Sequence, residues 1–413
     1  MNDDEPCPNP ECYIARGKRI QEGQSRNLLI RDGIIQQIDT KKTKITNVNV
    51  LDGENLLGIP GLIDAHTHIG DSFAKDVGVG KTLKELVHPL HGIKSKLLAN
   101  ESPATIREAI SQTSKDMLSC GITTFADFRE GGLEGLQLAR EALSKCKQRV
   151  LLLGRPRLSY SEETVAHDVD IPEPIVEEAK KILAVSNGFG LSGANEYTNS
   201  SLKNLAKITR GTNKLLAIHA AESVEAVNFS NETFHETEIQ RILNHMTPSF
   251  IVHMTHANEA DIQRIAQSKV GIVCCPRANA TLGVGVPPIS NFLRSGIKTA
   301  IGTDNVMLNA PDMFRELDYA ARIIKATTQD PSAITSSQAL SMATTHAADI
   351  LGLGSSIGSL EVGKQADIVF LDMNAANLSF SRDIVSSIVH RARPDNIECV
   401  MIQGEIVHGS IEK

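Results

Sequence analysis

The sequence predicts an α/β chain in which a (β/α)8 TIM-like barrel carries a small β-sandwich domain built from both termini. Two observations lead there. Between residues 61 and 305, eight short aliphatic or β-branched runs, each ending in polar residues, alternate with longer helical patterns, as parallel strands joined by helices do. The flanks 13–57 and 355–413 instead hold short alternating runs separated by Gly and Asp, which read as β-hairpins. The chain length of 413 residues suits a large barrel with an accessory.

The eight runs are GLIDAHTH (61–68), GITTFADFR (121–129), RVLLLGRP (149–156), GFGLSG (188–193), LLAIHAAE (215–222), FIVHMTH (250–256), GIVCCPRAN (271–279) and TAIGTDN (299–305). Ser102 followed by Pro103 marks a helix start, and Gly121 marks its end. The remaining connectors, 131–147, 172–185, 200–210, 223–244, 258–269 and 287–295, read as helices, and a further helix over 336–351 leads out of the barrel. Neither flank has enough strands for a stable sheet of its own, so both are expected in one domain, 1–58 plus 355–413, beside a barrel of 59–354.

Composition narrows the function. Lys+Arg number 42 against 49 Asp+Glu, a net charge of −7 with no long basic run, so no nucleic-acid and no membrane partner is expected. A small molecule is the expected partner. No run approaches a membrane span and the acidic, Pro-rich start is unlike a signal peptide, which predicts a cytoplasmic protein. Seven scattered Cys suit reduced thiols, Cys7 and Cys12 included. Aromatics are 4% of residues, with no Trp and four Tyr, so polar recognition is favoured over stacking.

In a barrel of this kind the chemistry gathers at the C-terminal ends of the strands. Strand one ends His66-Thr67-His68, strand five ends His219-Ala220-Ala221-Glu222, strand six ends His253-Met254-Thr255-His256 and strand eight ends Thr303-Asp304-Asn305. A period of two puts His66 and His68 on one face, where both can reach the same ion. Any one of these histidines could be an ordinary core residue; four such strand ends in one barrel point to a metal site. His66, His68, His219 and Asp304 supply three imidazoles and a carboxylate, a set that leaves an open position for a water whose pKa the ion lowers to about 7. Zn2+ suits this set, and Fe2+ or Mn2+ also fit. Asp304 is placed to accept the water proton.

These motifs, with GSLEVGKQADIVFLD at 358–372, resemble the amidohydrolase superfamily over nearly the whole chain. The resemblance is to its mononuclear-metal aminohydrolase branch, which holds S-adenosylhomocysteine/methylthioadenosine, guanine and cytosine deaminases and related chlorohydrolases. It implies that Glu222 shuttles protons to the substrate ring and leaving amine, that His253 polarises or orients the reacting centre, and that the protomers form a homodimer. A two-metal relative would carry a Lys at the end of strand four, where Ser192, Asn195 and Glu196 stand, so one metal is expected. The expected activity is hydrolytic deamination of an amino-substituted N-heterocycle such as a purine, pyrimidine or pterin. Hydrolysis of a cyclic amide and chlorohydrolysis are the alternatives on the same barrel. A non-catalytic scaffold is disfavoured because no ligand has been lost.

Substrate contacts are expected from loops after the other strands: Arg129 and Glu130, Arg155 and Arg157, Asn195 and Glu196, Arg277 and Asn279, with Asn305 after strand eight. Clustered arginines would suit an anionic or strongly hydrogen-bonding substrate; alternatively they pair with Asp127, Glu130 or Glu196 and brace the loops. His88 and His91 are lid or solvent histidines, and Tyr197 is the one nearby aromatic on the fourth loop, which argues against a purine-stacking site. GSSIG at 354–358 lacks the strand context of a nucleophile elbow. Neither GKT at 80–82 nor His235-Glu236 completes its motif.

Overall fold

The computed structural model describes residues 13–19, 25–39, 49–51, 53, 55–88, 91–158 and 160–411; Cys7 and Cys12 lie outside the described residues. Its strands are β1 Tyr13–Arg19, β2 Ser25–Arg31, β3 Ile34–Asp39, β4 Asn49–Leu51, β5 Leu56–Pro60, β6 Leu62–His68, β7 Ile122–Arg129, β8 Arg149–Gly154 and β9 Gly188–Gly193. They continue with β10 Leu215–Ala220, β11 Phe250–His253, β12 Gly271–Cys274, β13 Thr299–Ile301, β14 Asp304–Asn305, β15 Ile368–Asp372, β16 Ile397–Ile402 and β17 Glu405–Gly409.

Strands β6 to β13 pair side by side in chain order, every pair parallel, with helices between them. The eighth barrel strand is interrupted at Gly302-Thr303. Its first part, β13, pairs with β12, and its second part, β14, pairs with β6 in the register Asp304 to Thr67 and Asn305 to His68, so the ring closes. Gly302 permits this: a Cβ there would lie 2.5 Å from the carbonyl oxygen of His66. Asp64 ties the seam from the other side, accepting from Thr303 Oγ1 at 2.5 Å and Thr303 N at 3.0 Å.

Strand residues such as Phe125, Phe189 and Ile251 share one core with helix residues such as Ile110, Leu136, Ile182 and Leu202. The remaining strands form the second sheet, in the order β17-β16-β15-β5-β1-β2-β3 with β4 beside β1. Both termini therefore contribute to one sheet, whose buried residues, including Ile30, Ile35, Phe370 and Met401, make a separate core. Among the described residues no helix is long and apolar enough to cross a membrane.

Two expected helices divide. Residues 223–244 form Val224–Phe234 and Glu238–His245, because His235 takes a left-handed backbone and Thr237 caps a new start. Residues 336–351 form Ser336–Met342 and Thr345–Ile350, broken at Thr344. The seventh run ends as a strand at Cys274, since Pro276 opens the helix Pro276–Thr281.

Candidate metal centre and active site

The strand ends bring the predicted ligands to one point. Asp304 Oδ1 lies 3.4 Å from His66 Nε2 and 3.6 Å from His68 Nε2, and His219 Nε2 lies 3.3 Å from His66 Nε2. The other ring nitrogens point away. His219 Nδ1 donates to the Leu191 carbonyl at 2.7 Å, and His68 Nδ1 donates to the Phe128 carbonyl at 3.1 Å and to Glu130 Oε1 at 2.9 Å. With Nδ1 protonated, His68 and His219 present bare Nε2 lone pairs to the centre, and buried His66 Nδ1 has no hydrogen-bond partner. Converging imidazole nitrogens and a buried carboxylate fit a divalent ion held between them.

Electrostatics agree. Burial drives His66 down to about 3 and His219 well below its usual range, both neutral as ligands must be. Burial pushes Asp304 up, while the neighbouring His66, His253 and His68 hold it below the ordinary carboxylate range. Three of these strand ends are left-handed at non-glycine residues, with φ of 50° at Ala221, 73° at His253 and 62° at Asp304. Such strain persists where the surrounding structure overrules it, as at functional sites.

Glu222 and His253 flank the centre. Glu222 Oε1 lies 3.5 Å from His253 Nε2, and the two form with Asp304 a second compact group of ligand-type atoms. Burial raises the Glu222 carboxyl, with His253 opposing. His253 Nδ1 meets Asn279 Oδ1 at 3.0 Å, and Asn279 Nδ2 donates to Thr255 Oγ1 at 2.7 Å.

The pattern described as "Amidohydrolase family" matches residues 58–407. The chain belongs to the amidohydrolase family. A protein of Methanocaldococcus jannaschii, itself uncharacterised, is 36% identical over 378 residues, 90% of this chain and 91% of that one. A 5-methylthioadenosine/S-adenosylhomocysteine deaminase of Acetivibrio thermocellus is 30% identical over 400 residues, 93% of this chain and 89% of its own. The crystal structure of an adenosine deaminase from Xanthomonas campestris with bound zinc shares the fold, with a TM-score of 0.80 at 21% identity over 96% of this chain and 92% of that one.

In this amidohydrolase the site opens into a cleft of about 1500 Å³. The residues expected to contact substrate separate here. Arg155, Glu196 and Asn195 line the cleft with Glu130 and Asn305. Asn195 donates to the Ala226 carbonyl, and burial raises Glu196 while Arg155 opposes it. Glu130 and Asn305 are spent on the ligands: Glu130 accepts from His68, and Asn305 Nδ2 donates to Asp304 Oδ1 at 2.7 Å. Arg129, Arg277 and Asn279 do not line the cleft. Arg129 is 3% exposed and bound to Glu130 Oε2 at 2.5 Å, with Asp127 Oδ2 at 3.7 Å. Arg277 pairs with buried Glu316 at 3.5 Å, and Asn279 stands behind His253. Arg157, at the rim, pairs with Glu134 at 2.6 Å. The bracing alternative therefore describes Arg129, Arg157 and Arg277, and among the described residues Arg155 makes no ion pair.

Stacking surfaces exist where the fourth loop offered only Tyr197, which is buried with its hydroxyl against Ser192. Tyr160, Phe229 and the stacked pair His88 and His91, with centroids 5.2 Å apart, line the mouth instead. His256 turns away and donates to the Val284 carbonyl at 2.6 Å. Three residues not singled out from sequence also shape the site. Asp64 accepts from His66 N as well as Thr303, Glu238 accepts from Ala221 N at 2.8 Å, and Lys94 sits behind the ligands. Asp64 was within reach of sequence reasoning, since it lies two residues before His66 on one strand. Glu238 and Lys94 come from helices whose placement no local pattern reveals.

Proposed function

We propose that this chain is a zinc-dependent aminohydrolase that replaces the exocyclic amine of a nucleoside-sized N-heterocycle with oxygen and releases ammonia. One observation carries the reading: the Nε2 atoms of three imidazoles and Asp304 converge on one point, with Glu222 and His253 beside it at the floor of the cleft. The cleft exceeds the usual 300–1,000 Å³ of small-ligand sites, which favours a substrate larger than a free base. The thioether nucleosides named for the Acetivibrio thermocellus relative are of that size. Of the cations on the wall, Lys94 and Arg157 are already paired, which leaves Arg155 to meet a polar or anionic part of the substrate.

His66, His68, His219 and Asp304 would hold the ion. When bound, zinc supplies the Lewis acidity that brings the pKa of water toward 7. Asp304, held anionic, takes a proton from the attacking water. Glu222, its carboxyl raised by burial, carries a proton to a ring nitrogen and then to the departing amine. His253, its Nδ1 committed to Asn279, directs Nε2 at the reacting centre. The balance is one water consumed, a carbonyl formed and ammonia released. The five described cysteines are free, which supports a reducing, cytosolic setting.

The test is metal content by elemental analysis with ammonia release over a panel of aminopurines, their nucleosides and thioether nucleosides, aminopyrimidines, pterins and triazines. One zinc per chain with ammonia from a nucleoside is expected, and Glu222→Gln should keep the zinc while kcat falls about 10²–10⁴-fold. A metal-free wild-type protein, or zinc-loaded protein inert on the whole panel, would refute the reading.

A further inference from the structure

Lys94 is the only residue of the helix Ile93–Asn100 whose side chain is fully buried, while Ile93, Leu97 and Leu98 are only half-buried. A short helix anchored in the interior by a charge needs a reason. The ammonium donates to Asn305 Oδ1 at 2.7 Å and pairs with Glu130 Oε1 at 2.8 Å and Asp71 Oδ2 at 3.1 Å. Two of these lead straight to proposed metal ligands. Asn305 passes its Nδ2 hydrogen to Asp304 Oδ1 at 2.7 Å, and Glu130 Oε1 also accepts from His68 Nδ1 at 2.9 Å. The third, Asp71, accepts from Met307 N at 3.0 Å and holds the turn after β14.

We propose that Lys94 is a positioning residue that holds His68 and Asp304 from behind, and that through it occupation of the metal site is coupled to the order of the helix Ile93–Asn100. The inference rests on the metal reading above.

The Asn305 arm separates this role from plain charge neutralisation. Lysine can only donate, so the amide oxygen must face it and the NH2 group must face Asp304. A lysine present only to balance Asp71 and Glu130 would have no need of a neutral amide. On the other arm, Glu130 Oε1 lies between Lys94 Nζ at 2.8 Å and His68 Nδ1 at 2.9 Å, and an acceptor fixed there keeps the His68 proton on Nδ1 and the lone pair on Nε2. The same helix lines the cleft with Lys94, Ser95, Leu98 and Ala99. A tie between wall and ligands works in both directions: whatever tightens the ligands when the helix is docked must dock the helix when the ligands are tightened.

The experiment follows transfer of zinc from loaded protein to a chromophoric chelator for wild type, Lys94→Met and Asn305→Ala, and amide hydrogen exchange of residues 93–100 with and without zinc. Lys94→Met should bind zinc about 10–100-fold more weakly. Asn305→Ala, which keeps both ion pairs of the lysine, should lose roughly 3–10-fold. Zinc should protect the helix amides in wild type but leave them unchanged in Lys94→Met. If Lys94→Met does not fold, Asn305→Ala decides. Zinc release from the variants within about twofold of wild type, or helix exchange indifferent to zinc in wild type, would overturn the proposal. Failure of the wild type to take up zinc would instead overturn the metal reading and this inference with it.

Discussion

Replacing Asn279 with alanine removes one hydrogen-bonded support from His253 without touching a metal ligand or the cleft wall. The amide is 0% exposed, with Oδ1 3.0 Å from His253 Nδ1 and Nδ2 2.7 Å from Thr255 Oγ1. Alanine strands a buried imidazole nitrogen and a buried hydroxyl, each costing about 1–3 kcal/mol. The variant should therefore unfold at lower urea while remaining native in buffer. Without its Nδ1 partner the ring is free to rotate away from the reacting centre. A support of this kind is worth about 10–100-fold in activity, or about 1.4–2.7 kcal/mol of transition-state energy. The assay is kcat and KM for ammonia release beside zinc content and a urea melt. A fall in kcat is expected, with KM and zinc stoichiometry unchanged. A folded Asn279→Ala enzyme with wild-type kcat would refute the positioning argument, and a change confined to KM would return Asn279 to substrate binding.

Three further substitutions probe the frame. Arg129→Met leaves Asp127 and part of Glu130 without their cation in the interior, and should cost about 3–5 kcal/mol in urea denaturation; an unchanged midpoint with a raised KM would restore a substrate role. Burial pushes Glu316 from 4.5 up to about 8, with Arg277 opposing. Between those two values the unfolded chain has released this proton while the folded chain keeps it, so stability falls as pH rises, by on the order of 4–5 kcal/mol across the window. Glu316→Gln should flatten the dependence of urea midpoints between about pH 5 and 8, and a slope equal to wild type would contradict the assignment. Gly302→Ala places a Cβ 2.5 Å from the His66 carbonyl and 2.7 Å from its nitrogen. The backbone must yield, so zinc affinity should drop about tenfold with a loss of roughly 1–3 kcal/mol in stability, measured by zinc titration and thermal melting.

Local rules carried much of this protein. The HTH, HAAE, HMTH and GTDN strand ends are short and contiguous, so residue type and position along a strand nominated His66, His68, His219 and Asp304, and the family resemblance of the same motifs added Glu222 and His253. The alternation of strand and helix patterns carried the barrel for the same reason: each pattern is local, and parallel strands joined by helices have few ways to pack. The partners of those residues were decided only in three dimensions. Arg129, Glu130, Arg277, Asn279 and Asn305 all end or follow barrel strands, as substrate-contacting residues do, yet Arg129 and Arg277 close on buried carboxylates, Asn279 supports His253, and Glu130 and Asn305 turn to the ligands. Which way a side chain leaves a loop depends on what arrives from elsewhere in the chain. Lys94 reaches Asn305 across 211 positions and Thr303 reaches Asp64 across 239, and contacts at such separations are set by packing, which no local pattern records.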